Sequence, residues 1–560
     1  MRAWCVAAAV ILCASCGAVT PPPDAIYVNG RIWTGDPSAA EAEALAVADG
    51  RITAVGTTGD IDRLAGSGTM RVDLGGRRVV PGFNDAHWHL PTRQTADLDG
   101  AGSVEEIQRR LRAFAQTLPP DAWVTGRGWG PSDFPDRQAH KRYLDDIFPD
   151  RAVVLTDRDG HQTLANSRAL SLAGITRATE DPENGRIDRD PAGEPTGLLK
   201  ESAGGLVRRL MPDVTADEVY RSLLAELDKA AAFGLTSLQV ATVDPSDAEF
   251  TAYERALREG TLKLRLRVAV PFRLDVTPAR LAEYTRLRDS HPGSLLRFGI
   301  AKGMLDGTVD AYTAAMLEPY ANRDETGLPM WTRADLHRVA AEYDRAGLQI
   351  ELHAIGDRAI RMALDAFESV AAANGPRDRR DRVEHIEVPS PDDVPRFAAL
   401  KVIASTQAMF ASPDVITLTN YAPALGPARA ARSNSFAQFD RAGAVQAFGS
   451  DYPVFTMEVM RGIHTAVTRQ LPDGTPEGGW YPEGRITVEA AVRHFTRDAA
   501  FAEFAQRDKG TLTAGRLADF VVLSDDIFTM PPADLYRVTV LLTVMGGRET
   551  YRSDAFPRRD

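Results

Sequence analysis

"VVPGFNDAHWHL", Val79 to Leu90, carries an apolar run into an acid and two histidines one residue apart. In a strand, side chains at i and i+2 point the same way, so His87 and His89 face one side about 6.6 Å apart while Trp88 points away. Such a pair can converge on a single ion. On a helix the same spacing splays the two rings apart. A buried strand that ends in ligand-type residues is how a barrel enzyme presents its chemistry, at the C-terminal rim.

Seven further buried runs follow. Strands are expected at Val79 to His87, Leu235 to Ala241, Leu262 to Val270, Leu295 to Met304, Leu348 to His353, Arg382 to Glu387, Val402 to Ala408 and Ala444 to Gly449. Helices fall between them. "TADEVYRSLLAELDKAAAFG" opens with a capping-box pattern, Thr215 to Glu218, and stacks Val219, Leu223 and Leu227 at four-residue spacing. Thr332 to Asp335 and Ser390 to Asp393 repeat that start signal. Eight strand candidates with intervening helices favour a (β/α)8 barrel over an open sheet.

The ends of the chain read differently. Short strands and glycine turns fill Ala25 to Val80, with hairpin signals at Asn29-Gly30 and Asp49-Gly50, and "GRLADFVVLSDD" and "VTVLLTVMGGRETY" repeat the style at the far end. Segments 24–78 and 505–555 are therefore expected to pair into one composite β-sandwich, with the barrel, 79–91 and 204–504, enclosed between them. The stretch 92–203 is too long for a loop and should form a subdomain over the barrel mouth.

Composition narrows the function. A net charge of -12 and a hydrophobic content of 44% describe a globular protein without the concentrated basic surface that nucleic acid requires, so a small molecule is the expected partner. Residues 1–20, "MRAWCVAAAVILCASCGAVT", have the layout of a secretory signal and are too short for a membrane span. Ala14-Ser15-Cys16 resembles a lipoprotein signal end, with Cys13 where leucine is usual, so export to the periplasm or cell surface is expected, with membrane attachment through a lipidated Cys16 or, as the alternative, an ordinary cleaved signal. An oligomer is compatible with this composition. The three cysteines, Cys5, Cys13 and Cys16, all lie there, which leaves only nitrogen and oxygen ligands for a metal in the rest of the chain.

His353 ends the strand of "LQIELHAIGD", His385 sits in "RVEHIEV", and Asp451 follows "AVQAFGSDYP". One strand-end histidine is commonly structural. Four histidines and an aspartate at matching strand ends point to a shared site. Lys302, between Ala301 and Gly303, must either reach the surface or meet a charge inside. Asp85 is a candidate to orient one of the imidazoles, with a turn role as the alternative. His337 and His494 lie on expected helices and read as solvated.

These segments resemble the amidohydrolase superfamily, and within it family 3, the N-substituted formamide deformylase-like metal-dependent hydrolases. "PGFNDAHWH" is similar to its first-strand metal motif, "KGMLDGTVDAYTA" to its lysine segment, "HAIGDRA" and "VEHIE" to its fifth- and sixth-strand histidines, and "GSDYPV" to its last aspartate. The resemblance implies a barrel with a β-sandwich built from both chain ends. It also implies two divalent ions, zinc first. His87, His89 and Asp451 would hold one, His353 and His385 the other, and Lys302, carboxylated on its amine, would bridge them. An unmodified Lys302 would leave a mononuclear site. The implied reaction is attack of metal-activated hydroxide on a non-peptide carbon–nitrogen bond, N-acyl or N-formyl, with Asp451 moving the proton. Lactone or ester hydrolysis and ring deamination are alternatives on the same site, and a non-catalytic surface lipoprotein is the alternative outside it. His161, in "DGHQTLANS", is implied as a pocket residue. The family pattern has an arginine just before "TA" where this chain has Tyr312, and Asp310 stands where glutamate or serine is common, so a carboxylate-binding contact is missing.

Overall fold

The computed structural model describes residues 21–557; the expected signal and Cys16 lie outside the described residues. The buried runs assemble into one eight-stranded sheet: β1 (Phe83–Trp88), β2 (Leu235–Val240), β3 (Arg265–Pro271), β4 (Leu296–Met304), β5 (Gln349–Ala354), β6 (Arg382–His385), β7 (Ile403–Gln407) and β8 (Gln446–Gly449). Neighbours follow chain order and all pair in parallel. Past the strand ends, the seam between β8 and β1 is drawn together by main-chain bonds, Asp451 N–H to the His87 carbonyl at 2.7 Å and His89 N–H to the Tyr452 carbonyl at 2.9 Å. Gly449 is required at that seam, since a Cβ there would lie 2.5 Å from the His87 nitrogen.

Alternation decides which side chains face the barrel axis. On β3, Leu266, Val268 and Val270 join apolar clusters against the helices, which turns Arg265, Arg267 and Ala269 inward. On β6, Val383 goes outward and Arg382 and Glu384 inward. The covering helices begin where their caps dictate. Thr215 accepts from the Glu218 N–H while Glu218 accepts from the Thr215 N–H, the reciprocal pattern that opens Ala216–Ala232 and contributes roughly 1 kcal/mol. Thr332 caps Arg333–Arg345 by accepting from the Asp335 N–H, without the reciprocal main-chain bond. Ser390 does not act as a cap. Its helix starts at Val394, and the Asp393 carboxylate is drawn instead to Arg361 and Arg396, at 2.9 Å and 3.0 Å.

The apolar run that opened the sequence reading is two strands rather than one. Arg78–Pro81 pairs with Phe520–Leu523 and with Arg31–Trp33 in a six-stranded sheet, and β1 begins only after Gly82, which packs against Thr236 with no room for a Cβ. That sheet joins both chain ends. A second, four-stranded sheet faces it, and Tyr27, Ile32, Leu45, Val79, Phe520 and Leu542 fill the core between them. Asp49-Gly50 forms the expected hairpin, both residues at positive φ, between Ala44–Ala48 and Arg51–Gly56. Asn29-Gly30 is not a hairpin. The strands on either side belong to different sheets, because Tyr27 and Ile32 must enter one core from opposite faces. Between β1 and β2 a six-stranded mixed sheet, running from Ala96 to Glu201 with its own apolar clusters, stands over the barrel mouth.

Candidate metal centre

His87 and His89 lie on and just past β1, Lys302 near the end of β4, His353 near the end of β5, His385 at the end of β6 and Asp451 two residues beyond β8. The barrel brings all six to one rim. The Nε2 atoms of His87 and His89 are 3.3 Å apart, and Asp451 Oδ1 is 2.9 Å from His89 Nε2 and 3.4 Å from His87 Nε2. Lys302 Nζ lies 3.3 Å from His87 Nε2. The His385 ring is 4.8 Å from that of His87 and 4.5 Å from that of His353. His87, His385 and Asp451 present ligand atoms within 4.8 Å of one another.

Electrostatics suits these groups to a cation. Burial, reinforced by the Lys302 charge and by the other imidazoles, pushes His87, His353 and His385 well below the ordinary histidine range, so each ring is neutral and keeps a lone pair. Burial also lowers Lys302, which meets its charges inside the barrel in Glu351, Glu384 and Asp451. Neutral imidazoles beside a carboxylate, with His87, His385 and Asp451 converging, are the donor set of a divalent metal, so the residues fit the group the motifs imply. The backbone is bent to achieve this. His385, Ile386 and Asp451 all have positive φ, at 71°, 53° and 56°, a conformation that costs of order 1–3 kcal/mol each in non-glycine residues.

The supporting shell differs from the sequence reading. Asp85 orients main chain rather than an imidazole: it accepts from the N–H groups of His87 at 3.1 Å and Ser450 at 2.9 Å, and from the Ser450 hydroxyl at 2.5 Å, tying the β1 rim to the β8 rim. The His87 ring is held instead by Glu384, whose Oε2 is 2.5 Å from Nδ1, leaving Nε2 to face the centre. Glu384 is fixed by Arg382 Nε at 2.8 Å, with both side chains fully buried. Sequence reasoning missed this pair, though its signal was present: an arginine and a glutamate at i and i+2 of a buried strand must neutralise each other inside the barrel. Asp306 was missed too. It accepts from the N–H groups of Ala315, Ile355 and Gly356, which fixes the loop beside His353.

A cavity of about 800 Å³ opens above the rim, walled by the inserted sheet and by segments carrying Phe410, Tyr421 and Phe455. His161 lines it, with its ring 5.2 Å from that of His353. Burial would lower its pKa, but Glu201, 2.8 Å from Nδ1, outweighs that and holds it near 10, so His161 faces the cavity as an imidazolium. Burial and the neighbouring Asp159 raise both Asp310 and Glu387, on the same lining, to about 8. Tyr312 is not part of the lining. It stacks under the Arg323 guanidinium at 3.7 Å and meets Tyr320 edge-on. His494, read as solvated, is buried between Asp440 and Asp498, and His337 is half-buried.

Comparison with known proteins agrees with this geometry. The model of the amidohydrolase family matches residues 71–551. The chain is 33% identical to the protein LONG AFTER FAR-RED 3 of Arabidopsis thaliana, over 95% of this chain and 93% of that one. It is 28% identical to N-substituted formamide deformylase of Arthrobacter pascens, over 94% and 98%. In fold it is similar to an uncharacterized metal-dependent hydrolase from Pyrococcus horikoshii OT3, with a TM-score of 0.72, 23% identity, and coverage of 91% of this chain and 99% of that one.

Proposed function

The chain belongs to the amidohydrolase family, metal-dependent hydrolases, and on that premise we propose that it hydrolyses a non-peptide carbon–nitrogen bond of the N-acyl or N-formyl amide type. The observation that carries the reading is the convergence of His87, His89, Lys302, His353, His385 and Asp451 at one rim, beneath a cavity of about 800 Å³. The bond type is supported by the formamide deformylase relative at 28% identity.

In this reading His87, His89 and Asp451 would hold one ion and His353 and His385 a second, with Lys302, if carboxylated, as a ligand shared by both; zinc would suit the nitrogen and oxygen donors. Bound divalent cations supply Lewis acidity, which lowers the pKa of a water towards 7 and polarises a carbonyl. The chain does the rest. Asp451 directs Oδ1 at the His87–His89 pair, which leaves Oδ2 to take the water proton and return it to the departing nitrogen. Glu384 keeps His87 in the ligating orientation. His161, held by Glu201, offers a cationic N–H donor to the substrate carbonyl from the cavity wall. The inserted sheet walls one side of the cavity.

Purified full chain, assayed for metal by elemental analysis and for turnover on N-formyl amines, N-acyl amines, cyclic amides, lactones and esters, tests the reading. Turnover of an amide that is lost on chelation and restored by zinc is expected. Turnover confined to lactones or esters would replace the bond assignment, and metal-loaded protein inert on every class would remove it. We propose export and lipid attachment at Cys16 as well; radiolabelled palmitate retained by the wild type and absent from Cys16→Ser is the expected result.

A further inference from the structure

The opposite end of the barrel carries a second cavity, of about 520 Å³, at the N-terminal ends of β3, β4 and β5. Its lining holds five arginines, Arg267, Arg288, Arg297, Arg377 and Arg379, against two aspartates, Asp289 and Asp378, in a protein whose net charge is -12. Three of the arginines are matched. Arg288 pairs with Asp289 at 2.8 Å, and Arg377 and Arg379 both reach Asp344, at 2.7 Å and 2.8 Å. Asp378 is taken by Arg380 at 2.7 Å.

Arg267 and Arg297 are not matched. Arg267 is 4% exposed, and its Nε and Nη1 are buried with no hydrogen-bond acceptor among the described residues; it lies over the Phe504 ring at 5.8 Å. Two carboxylates act on it electrostatically without hydrogen-bonding it: Glu503, paired with Lys509 at 2.6 Å, and Glu351, which lies 3.6 Å from Arg382 and whose Oε1 also lacks a hydrogen-bond partner among the described residues. Arg297 stands directly beside it in the sheet register and makes one long hydrogen bond, 3.4 Å, to the Glu503 carbonyl. Two like charges on adjacent strands destabilise each other, and a buried guanidinium without an acceptor is left with its desolvation uncompensated. An oxyanion between them relieves both costs, because a guanidinium fork matches a tetrahedral oxyanion or a carboxylate.

From this pair we infer that the lower cavity is a binding site for a phosphate- or sulfate-type oxyanion, free or as a small monoester, gripped by Arg267 and Arg297. The site is separated from the metal centre by the length of the strands: Arg267 pairs with Arg297 at one end of β3 and β4, and Pro271 with Lys302 at the other. Its occupancy can therefore be read apart from catalysis.

Isothermal titration calorimetry of the full chain with inorganic phosphate, sulfate and glycerol 3-phosphate, at matched ionic strength, reads the site. Saturable binding of at least one probe is expected, weakened about tenfold or more in Arg267→Met and in Arg297→Gln and kept in Asp451→Asn. Binding of inorganic phosphate or sulfate marks the free anion as ligand, and binding of glycerol 3-phosphate alone marks the ester. Arg267→Met replaces an unmatched buried charge by an apolar chain of similar reach, so its melting temperature in anion-free buffer should equal or exceed the wild type. Arg297→Gln, which is only half-buried, tests the site even if Arg267→Met does not fold. No saturable binding, binding retained by both arginine variants, or binding lost in Asp451→Asn, which would place the anion at the metal centre, overturns the assignment.

Discussion

Buried histidines in two parts of this molecule behave oppositely. At the barrel rim, His87, His353 and His385 are packed against one another and against Lys302, and burial plus neighbouring positive charge holds all three neutral. Between the helices Val488–His494 and Arg497–Ala502, His494 is as deeply buried, yet Asp498 at 2.9 Å and Asp440 at 3.1 Å outweigh the desolvation and raise its pKa. Burial therefore does not decide what a histidine does. The balance of its neighbours does: two aspartates make His494 an ion-pair partner, whereas burial with Lys302, Arg382 and other imidazoles keeps His87 neutral even with Glu384 against its ring.

The contrast can be broken at several points. The largest effect is expected from Asp451→Asn, which keeps an oxygen for ligation but removes the proton carrier; kcat should fall about 10²–10⁴-fold while metal content, measured by elemental analysis, stays within about twofold. Next is Gly449→Ala. Its Cβ would sit 2.5 Å from the His87 nitrogen, so opening the β8–β1 seam should cost about 3 kcal/mol in urea unfolding and reduce metal content with it. A variant that stays as stable as the wild type would show that the rim tolerates displacement.

Glu384→Gln sharpens the comparison by weakening the carboxylate that holds the His87 ring at Nδ1, on the side away from the centre. Zinc affinity, by competition with a chromophoric chelator, should drop about 10–100-fold. The smallest effect is expected at the other cluster. His494→Gln should cost about 2 kcal/mol near pH 6, since hydrogen bonds to charged groups contribute about 1.5–3 kcal/mol. The folded pKa of His494 is raised above its unfolded value of 6.5, so the folded state binds more protons between the two. Its contribution is then complete below about pH 6.5 and fades as pH rises through the folded value. The gap in unfolding free energy between wild type and variant should narrow as pH rises above 6.5, and a gap that stays constant over the whole range in which the protein folds would mean that His494 is held by packing rather than charge.

Much of this was legible in residue order. Strand periodicity and helix caps located the eight barrel strands within a few residues, and "HWH", "HAIGD", "VEHIE" and "GSDYP" mark where ligand atoms leave the sheet. What escaped the sequence were relationships between distant segments. Glu384 orients His87 from 297 positions away, and Asp85 ties β1 to Ser450 across 365. Gly82 separates sandwich from barrel only because Thr236 packs against it. His494 reads from its helix as solvated, and only the fold shows that it is buried between two aspartates.

By itself the sequence determined the alternation of strand and helix, the residue types at each strand end and the lack of thiol ligands beyond residue 20, because these depend on local periodicity and composition. Only the tertiary structure decided which imidazoles are neutral, which carboxylate holds which ring, and which arginines are left without a partner. Those properties are sums of Coulomb and desolvation terms over groups far apart in the chain, and the closing of the barrel is what sets their distances.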